Sequence, residues 1–556
     1  MNYKTLTSLT CLMALAIMTH PAQAQVTATS SISQLSDYAA TSIIARESHL
    51  STAPDISRDG STIVFTSTAD LVPGSNPKNL ENIYIMKPDG TGLRQLTAAV
   101  NAPENTSIEN TVPRVSADGK VVVFASPYNL TGENPPEFFA NLTDSQYSYY
   151  VHYYQIFIIN SNGTDLRQLT HGNGWHSLRP RISDDGRIIA FESTQDLITG
   201  QNSDHTSEIF VINADGTGLA QITRGGKKPP GRNIRGDESR NAAISGDGTT
   251  VAFDSLNDLL PPSNDDWSNE VFVFDLARYR SERATISDLA GYTVQITDTD
   301  VDDPFHVRSE EAFEPSLSYD GAWIVFAACI NPNGEGIGKP GRTVLGDNPL
   351  LPDVIFIARR DGSGLRQLTF SDDPNAYVND PDGWKNRDDD AHWPVISADG
   401  ARVVFGTRSR ADLALGSRPY EYEIAMVDLN APPGNNGRPV VTQLTFGSTY
   451  VARLRPSINA DASLITLHAE SDFTGGNPDK NSEVFLITPL AAAAAPPATT
   501  PPVVTPAATA PATSDADSTS SSTASGGGGT IGLMEALFGI AALGGGRLIR
   551  RRRTIP

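Results

Sequence analysis

Cysteine is nearly missing from this chain. It occurs twice in 556 residues, at Cys11 within an apolar leader and at Cys329. The body beyond that leader therefore has no intramolecular disulfide. Cys329 follows an alternating strand and reads as a buried, inert thiol. Positive charge is scarce too: 42 Lys and Arg stand against 64 Asp and Glu, a net charge of −22. Setting aside Lys4, Glu535 and the tail arginines leaves the body more acidic still. Such a surface repels phosphate backbones, which excludes nucleic acid as the expected partner and favours cations or cationic surfaces. No Gly-x-Ser-x-Gly elbow and no α/β-hydrolase segment occurs, which argues against a serine peptidase of that type. His171 and His176 stand near each other, but no zinc-type cluster accompanies them.

Long apolar runs are confined to the two ends. Lys4, the run Leu9 to Met18 and Ala22-Gln23-Ala24 read as a secretory signal over residues 1–24, too short to span a bilayer. Residues 491–525 are rich in Ala, Pro, Thr and Ser, a composition that builds no core and predicts a disordered linker. Residues 526–556 hold Gly526 to Gly529, a hydrophobic segment from Ile531 to Leu543, and Arg547 with Arg550 to Arg553. That segment predicts a C-terminal hydrophobic helix that just reaches membrane-spanning length, with the arginines holding its end in the cytoplasm. Glu535 is costly in a permanent span.

Between these ends, residues 25–490 repeat. Asp-Gly turns begin at Asp59, Asp118, Asp185, Asp247, Asp320 and Asp399, and an Asp-Ala turn at Asp461. Six of the units finish with a Leu-Thr or Ile-Thr strand, at Thr97, Thr170, Thr223, Thr297, Thr369 and Thr445. In the unit from Pro180 to Thr223, alternating segments such as RIIAFE and EIFVI separated by Asp-Gly turns predict four antiparallel strands. A unit of this kind cannot bury its own apolar face, so its copies must stack, and four strands per copy is a propeller blade. The last unit lacks its fourth strand, but Ile32-Ser33-Gln34-Leu35-Ser36 resembles Val441-Thr442-Gln443-Leu444-Thr445. The expected fold is an all-β, seven-bladed β-propeller closed by an N-terminal strand, with six blades as the alternative. Closure removes exposed sheet edges.

The repeated pattern Ile-Ser-x-Asp-Gly-x-x-Ile-x-Phe, followed by Glu-Ile-Phe and Asp-Gly-Thr-Gly-Leu-Arg-Gln-Leu-Thr, resembles the TolB-type β-propeller repeats over roughly residues 30–490. The resemblance implies a fold and leaves function open, since such repeats serve both as binding scaffolds and beside peptidases. No segment matches the α/β domain by which TolB binds envelope partners, so that role is not carried over. The tail resembles the GlyGly-type C-terminal sorting signals of exported Gram-negative proteins. That resemblance implies processing by a rhomboid-like protease and a product that is periplasmic, on the outer surface or secreted.

Three patterns nominate a site. Long insertions fall mostly on the face that carries the loops between second and third strands, and rigid folds usually bind through such loops. Those insertions carry Trp175, Trp267, Trp384 and Trp393, with Tyr150 and Tyr153 in a Tyr-rich loop. These rings either pack under their own loops or offer flat surfaces to sugars and peptide side chains. Seven residues before the residue that ends each first strand stand Glu109, His176, Glu238, Glu311 and Asp390, an expected ring at the channel mouth beside His392. Third, Asp196, Asn202, Asp204 and Glu208 recur at similar offsets elsewhere, as in Asp70 and Asn76 or Asp472 and Asn477. They would hold Ca²⁺ or another divalent cation, or serve as ordinary turn formers, which their spacing favours.

With no catalytic motif in view, the expected function is an exported envelope or surface propeller that binds a glycan, peptide or envelope protein. The alternative is an extracellular metal-assisted polysaccharide lyase or hydrolase at the channel mouth, and a third reading is a structural spacer.

Overall fold

The computed structural model describes residues 30–37, 50–98, 112–133, 154–172, 175–225, 238–260, 268–284, 286–298, 312–328, 353–370, 390–408, 422–434, 436–446 and 455–490. Their strands form seven separate four-stranded sheets. In six of them strand order follows the chain, as in blade 3: Ser177–Ile182, Ile188–Ser193, Glu208–Asn213 and Ala220–Gln221. Numbered along the chain, the inner strands of the other blades are Ser51–Ile56, Arg114–Val115, Ser239–Ile244, Ala312–Leu317, Ala391–Ile396 and Ser457–Ile458. Blade 7 takes its outer strand from the N-terminal side. Ser30–Gln34 pairs antiparallel with Glu483–Pro489, placing Ile32 opposite Ile487. The fold is the expected seven-bladed propeller, closed by that strand.

Each element of the repeat has a physical role. In the turn, Ser183 Oγ donates to Asp185 and accepts the Ile188 N–H at 3.0 Å, and the same trio recurs from blade to blade. The turn glycine is left-handed at Gly186 and its equivalents, and Ala462 holds that conformation in blade 7. At the outer edge, the terminal hydroxyl of Thr97, Thr170, Thr223, Thr297, Thr369 or Thr445 accepts a third-strand N–H, and Ser36 takes this part in blade 7. The same hydroxyl donates to the residue that begins the third strand: Gln155, Glu208, Glu270, Glu423 or Glu483. A side chain thus completes the ladder, which is why the outer strands of blades 1 to 6 are only two or three residues long.

The core lies between blades. Val404 and Ile424 of blade 6 pack with Ile465, Leu467 and Phe485 of blade 7, whose Val484 and Leu486 pack with Phe65 and Tyr84 of blade 1. This is the stacking that the repeat demands. A circle of backbone hydrogen bonds also runs around the turn face. Asp59 N binds Ala117 O, Ala117 N binds Asp184 O, Asp184 N binds Gly246 O, and Asp247 N binds Tyr319 O. Tyr319 N then binds Ala398 O, Ala398 N binds Ala460 O, and Ala460 N returns to Arg58 O at 2.8 Å. Among the described residues, no helix is long and apolar enough to cross a membrane. Residues 1–29 and 491–556, with the expected signal, linker and tail, lie outside the described residues.

Candidate functional site

The inner strands share an interruption. Register slips between Thr52 and Asp55, Leu178 and Arg181, Arg240 and Ala243, Phe313 and Ser316, and His392 and Val395. Four of these slips contain a proline, Pro54, Pro180, Pro315 or Pro394, which has no N–H to give the ladder. Within the slips, Ala53, Arg179, Asn241, Glu314 and Trp393 all adopt left-handed φ angles of 49–57°. Such backbone is strained by about 1 kcal/mol or more per residue, and it persists where neighbours hold it. The preceding blade does so. Glu192 accepts from Asn241 N at 2.7 Å, Asp254 from Glu314 N at 3.2 Å, and Glu314 from Trp393 N at 3.0 Å. Bulges re-aim side chains, and here those flanking the slips turn to the axis of the ring.

On that axis lies a cavity of about 210 Å³ to which all seven inner strands contribute. Asp55, Arg114, Arg181, Ser316 and Ser457 form one layer of its wall, at the position after the proline or its equivalent. Glu314, Trp393 and Arg455 belong to the layer before it, and Arg58 and Asp184 to the turn-face end. Charges in this wall are mostly matched across blades. Arg58 Nε lies 2.9 Å from Asp184, Arg114 3.4 Å from Asp55, and Arg455 3.6 Å from Glu314. Arg179 pairs with Glu192 at 3.0 Å. Asp55 also accepts Val115 N at 2.9 Å and Ser457 Oγ at 2.7 Å, tying blades 7, 1 and 2 together. Burial pushes the wholly enclosed carboxyl of Asp254 up to about 6, against Arg240 and the amides of Asn241 and Asn269.

Arg181 differs. Among the described residues its one hydrogen bond is a weak donation to Pro180 O at 3.5 Å, and no carboxylate lies in pairing range. Burial, then the charge of Arg114, presses its pKa down; Asp55 opposes, and Arg455 presses further. Guanidinium resists losing its proton, so this pressure expresses an unanswered positive charge.

The expected site residues fall as follows. Trp175 is exposed and stacks on His205, with centroids 4.3 Å apart. Trp393 lines the channel and packs against His392 and Tyr422. His176 lies at the head of its inner strand, and Glu238 pairs with Arg240 at 3.3 Å. Asp390 is buried rather than on an open rim, because Arg408 binds it at 2.7 Å and His392 approaches it at 4.0 Å. His392 also meets Asp353 at 3.1 Å. Burial opposes its charge, but Tyr422, Asp353 and Asp390 outweigh burial and raise its pKa well above the usual value. Trp267, Trp384, Tyr150, Tyr153, Glu109 and Glu311 lie outside the described residues.

The His392 nitrogen and the oxygens of Asp353 and Asp390 lie within 4.8 Å of one another, close enough for a metal ion. Two carboxylates facing Arg408 and a protonated His392 are nevertheless already balanced, so the cluster fits an ion-pair network better than a cation site. In the Asn/Asp loops, the Asp70 carboxylate accepts Gly74 N and Asn76 N, and Asp196 accepts Gly200 N and Asn202 N. These groups do turn work.

No family model and no curated protein sequence matches this chain. Among solved structures it is similar to TolB from Acinetobacter baumannii, at 14% identity and TM-score 0.31, over 60% of this chain and 59% of that one. A putative TolB from Agrobacterium tumefaciens is 15% identical with TM-score 0.34, covering 72% of this chain and 94% of that one. An oligogalacturonate lyase in complex with manganese is 10% identical with TM-score 0.44, covering 84% and 99%. Likeness at this level carries no argument about site or substrate, and the ring rests on its own strand pairing.

Proposed function

We propose that this chain is an exported binding propeller that holds a glycan, peptide or envelope-protein partner through its loop face and the mouth of its channel. The observation that carries this reading is the axial cavity, to which all seven inner strands contribute, five of them bulged, and which Trp393 edges. At about 210 Å³ it takes one small group of a ligand. Drug-sized ligands fill roughly 300–1,000 Å³, so a larger partner leaves most of its contact on the surrounding loops. The acidic body and the absence of a hydrolase elbow support binding over chemistry. Export rests on the leader, and release or anchoring on the Gly-rich tail with its arginines, which would engage the membrane at least transiently and meet a rhomboid-like protease.

The test is a screen of the mature protein against glycan and peptide arrays, repeated with Trp393→Ala and Trp393→Phe. Binding weakened about tenfold by the Ala change and largely kept by Phe is the expected result, since an aromatic contact contributes about 1–3 kcal/mol. Binding by neither array, or binding indifferent to Trp393, would sink the reading.

A metal-assisted lyase or hydrolase is the second reading, favoured only by the Asp353, Asp390 and His392 trio. It requires turnover of a polysaccharide that depends on Mn²⁺ or Ca²⁺ and is lost in Asp353→Asn. Calorimetry without metal uptake would dismiss it.

A further inference from the structure

We infer that the middle of the channel is a receptor for a single carboxylate group, with Arg181 as its anchor; the inference rests on the binding reading above and names the chemistry that the channel selects. Four arginines line the channel wall, and three of them face named carboxylates: Arg58 with Asp184, Arg114 with Asp55, and Arg455 with Glu314. Arg181 is the fourth. Among the described residues it has only the 3.5 Å contact to its neighbour's carbonyl, and it lies in the same layer as Arg114 on the adjacent blade. A half-buried cation without a carboxylate to face is costly, and the cost falls when an anion arrives with hydrogen-bonding geometry to match. Guanidinium matches a carboxylate edge-on through two parallel N–H bonds.

Two further features narrow the ligand. One positive charge is unanswered, so one negative charge balances it; a phosphate dianion would overshoot and meet Asp55 and Glu314. Ser316, in the layer of Arg181, accepts Ile396 N at 3.4 Å and keeps its hydroxyl proton to offer to an oxygen in the cavity. A carboxylate thus finds two N–H donors and an O–H donor on the axis of the ring, in space that suits a terminal group.

The test is calorimetry and thermal denaturation of the mature protein with sodium acetate, sodium chloride and inorganic phosphate at matched ionic strength. A free-acid tripeptide against its amide, and glucuronate against glucose, then distinguish the two sources of the carboxylate. Acetate should raise the melting temperature in a saturable way that chloride does not reproduce. Arg181→Gln should weaken acetate uptake at least tenfold while melting no lower than the unliganded parent, because it removes an unbalanced charge. Arg181→Lys, which keeps the charge and loses the fork, should weaken uptake several-fold and guards against a folding defect in the Gln variant. Discrimination of either acid from its neutral counterpart supports the inference. It is overturned by acetate acting no differently from chloride, by phosphate binding more tightly than acetate, by neither acid being distinguished, or by both variants taking up acetate as the parent does. Failure of array binding with acetate uptake intact would remove the wider function and leave this site standing.

Discussion

Replacing Glu208 by Gln isolates the energetics of a buried carboxyl at the edge of a blade. Its carboxylate receives Thr223 Oγ1, Gly225 N at 2.6 Å and Thr206 Oγ1 at 3.2 Å. Burial outweighs all three and pushes the group from 4.5 up to about 7. The folded protein therefore holds this proton more tightly than the unfolded chain does. The resulting stabilisation is complete below pH 4.5 and is lost as pH rises through about 7. At about 1.4 kcal/mol per pKa unit the loss amounts to about 3 kcal/mol. With unfolding entropy near 2 cal/mol/K per residue, that is about 3 °C in melting temperature for a domain of this size. Blade 2 shows that Gln suits the position: Gln155 accepts Thr170 Oγ1 at 2.6 Å and donates to Gly172 O at 3.3 Å. Calorimetric scans of Glu208→Gln and the parent from about pH 5 to pH 8 should show the variant gaining on the parent as pH rises. The difference cancels other titrating groups, Asp254 among them. A difference that stays constant with pH would refute the reasoning.

Four other perturbations test the ring. Gly321 is left-handed at φ 63°, and a Cβ there would lie 2.7 Å from the branched Thr250 Cβ; Gly321→Ala should lower stability by about 2 kcal/mol in urea melts. Ala462 takes the place of the turn glycine at φ 54°, so Ala462→Gly should raise stability by about 1 kcal/mol in the same assay, whereas a loss would mean the turn is not strained. Removing residues up to Ser36 exposes the edge of Glu483–Pro489 and should lower the melting temperature by more than about 10 °C and promote association, read by light scattering; an unchanged melt would contradict closure. Asp55→Ala removes the answer to Arg114 and two further cross-blade contacts, and should cost about 3 kcal/mol.

Most of the ring could be read from the chain because its signals are local and repeated. Ser183, Asp185 and Gly186 make a turn within four residues, and the likeness of Gln34 and Ser36 to Gln443 and Thr445 marks the closing strand, which pairs with Glu483–Pro489. The seven-residue spacing rule reached Asp390 and the neighbouring His392, yet Asp390 proves buried against Arg408. The channel wall instead comes from the residues that flank the inner-strand prolines. Those prolines were visible in the sequence, but the bulge that re-aims Arg179 and Glu314 is a tertiary event. Pairs such as Arg58 with Asp184 and Arg455 with Glu314 join blades that are not sequence neighbours, and no local pattern encodes them.

The most direct measurement is a high-resolution density map of the mature protein prepared in acetate and, separately, in chloride. Planar density against the Arg181 guanidinium on the channel axis, present in acetate alone, is the predicted result. Identical density in the two maps, or an acidic side chain of the same chain seated against Arg181, would contradict the assignment.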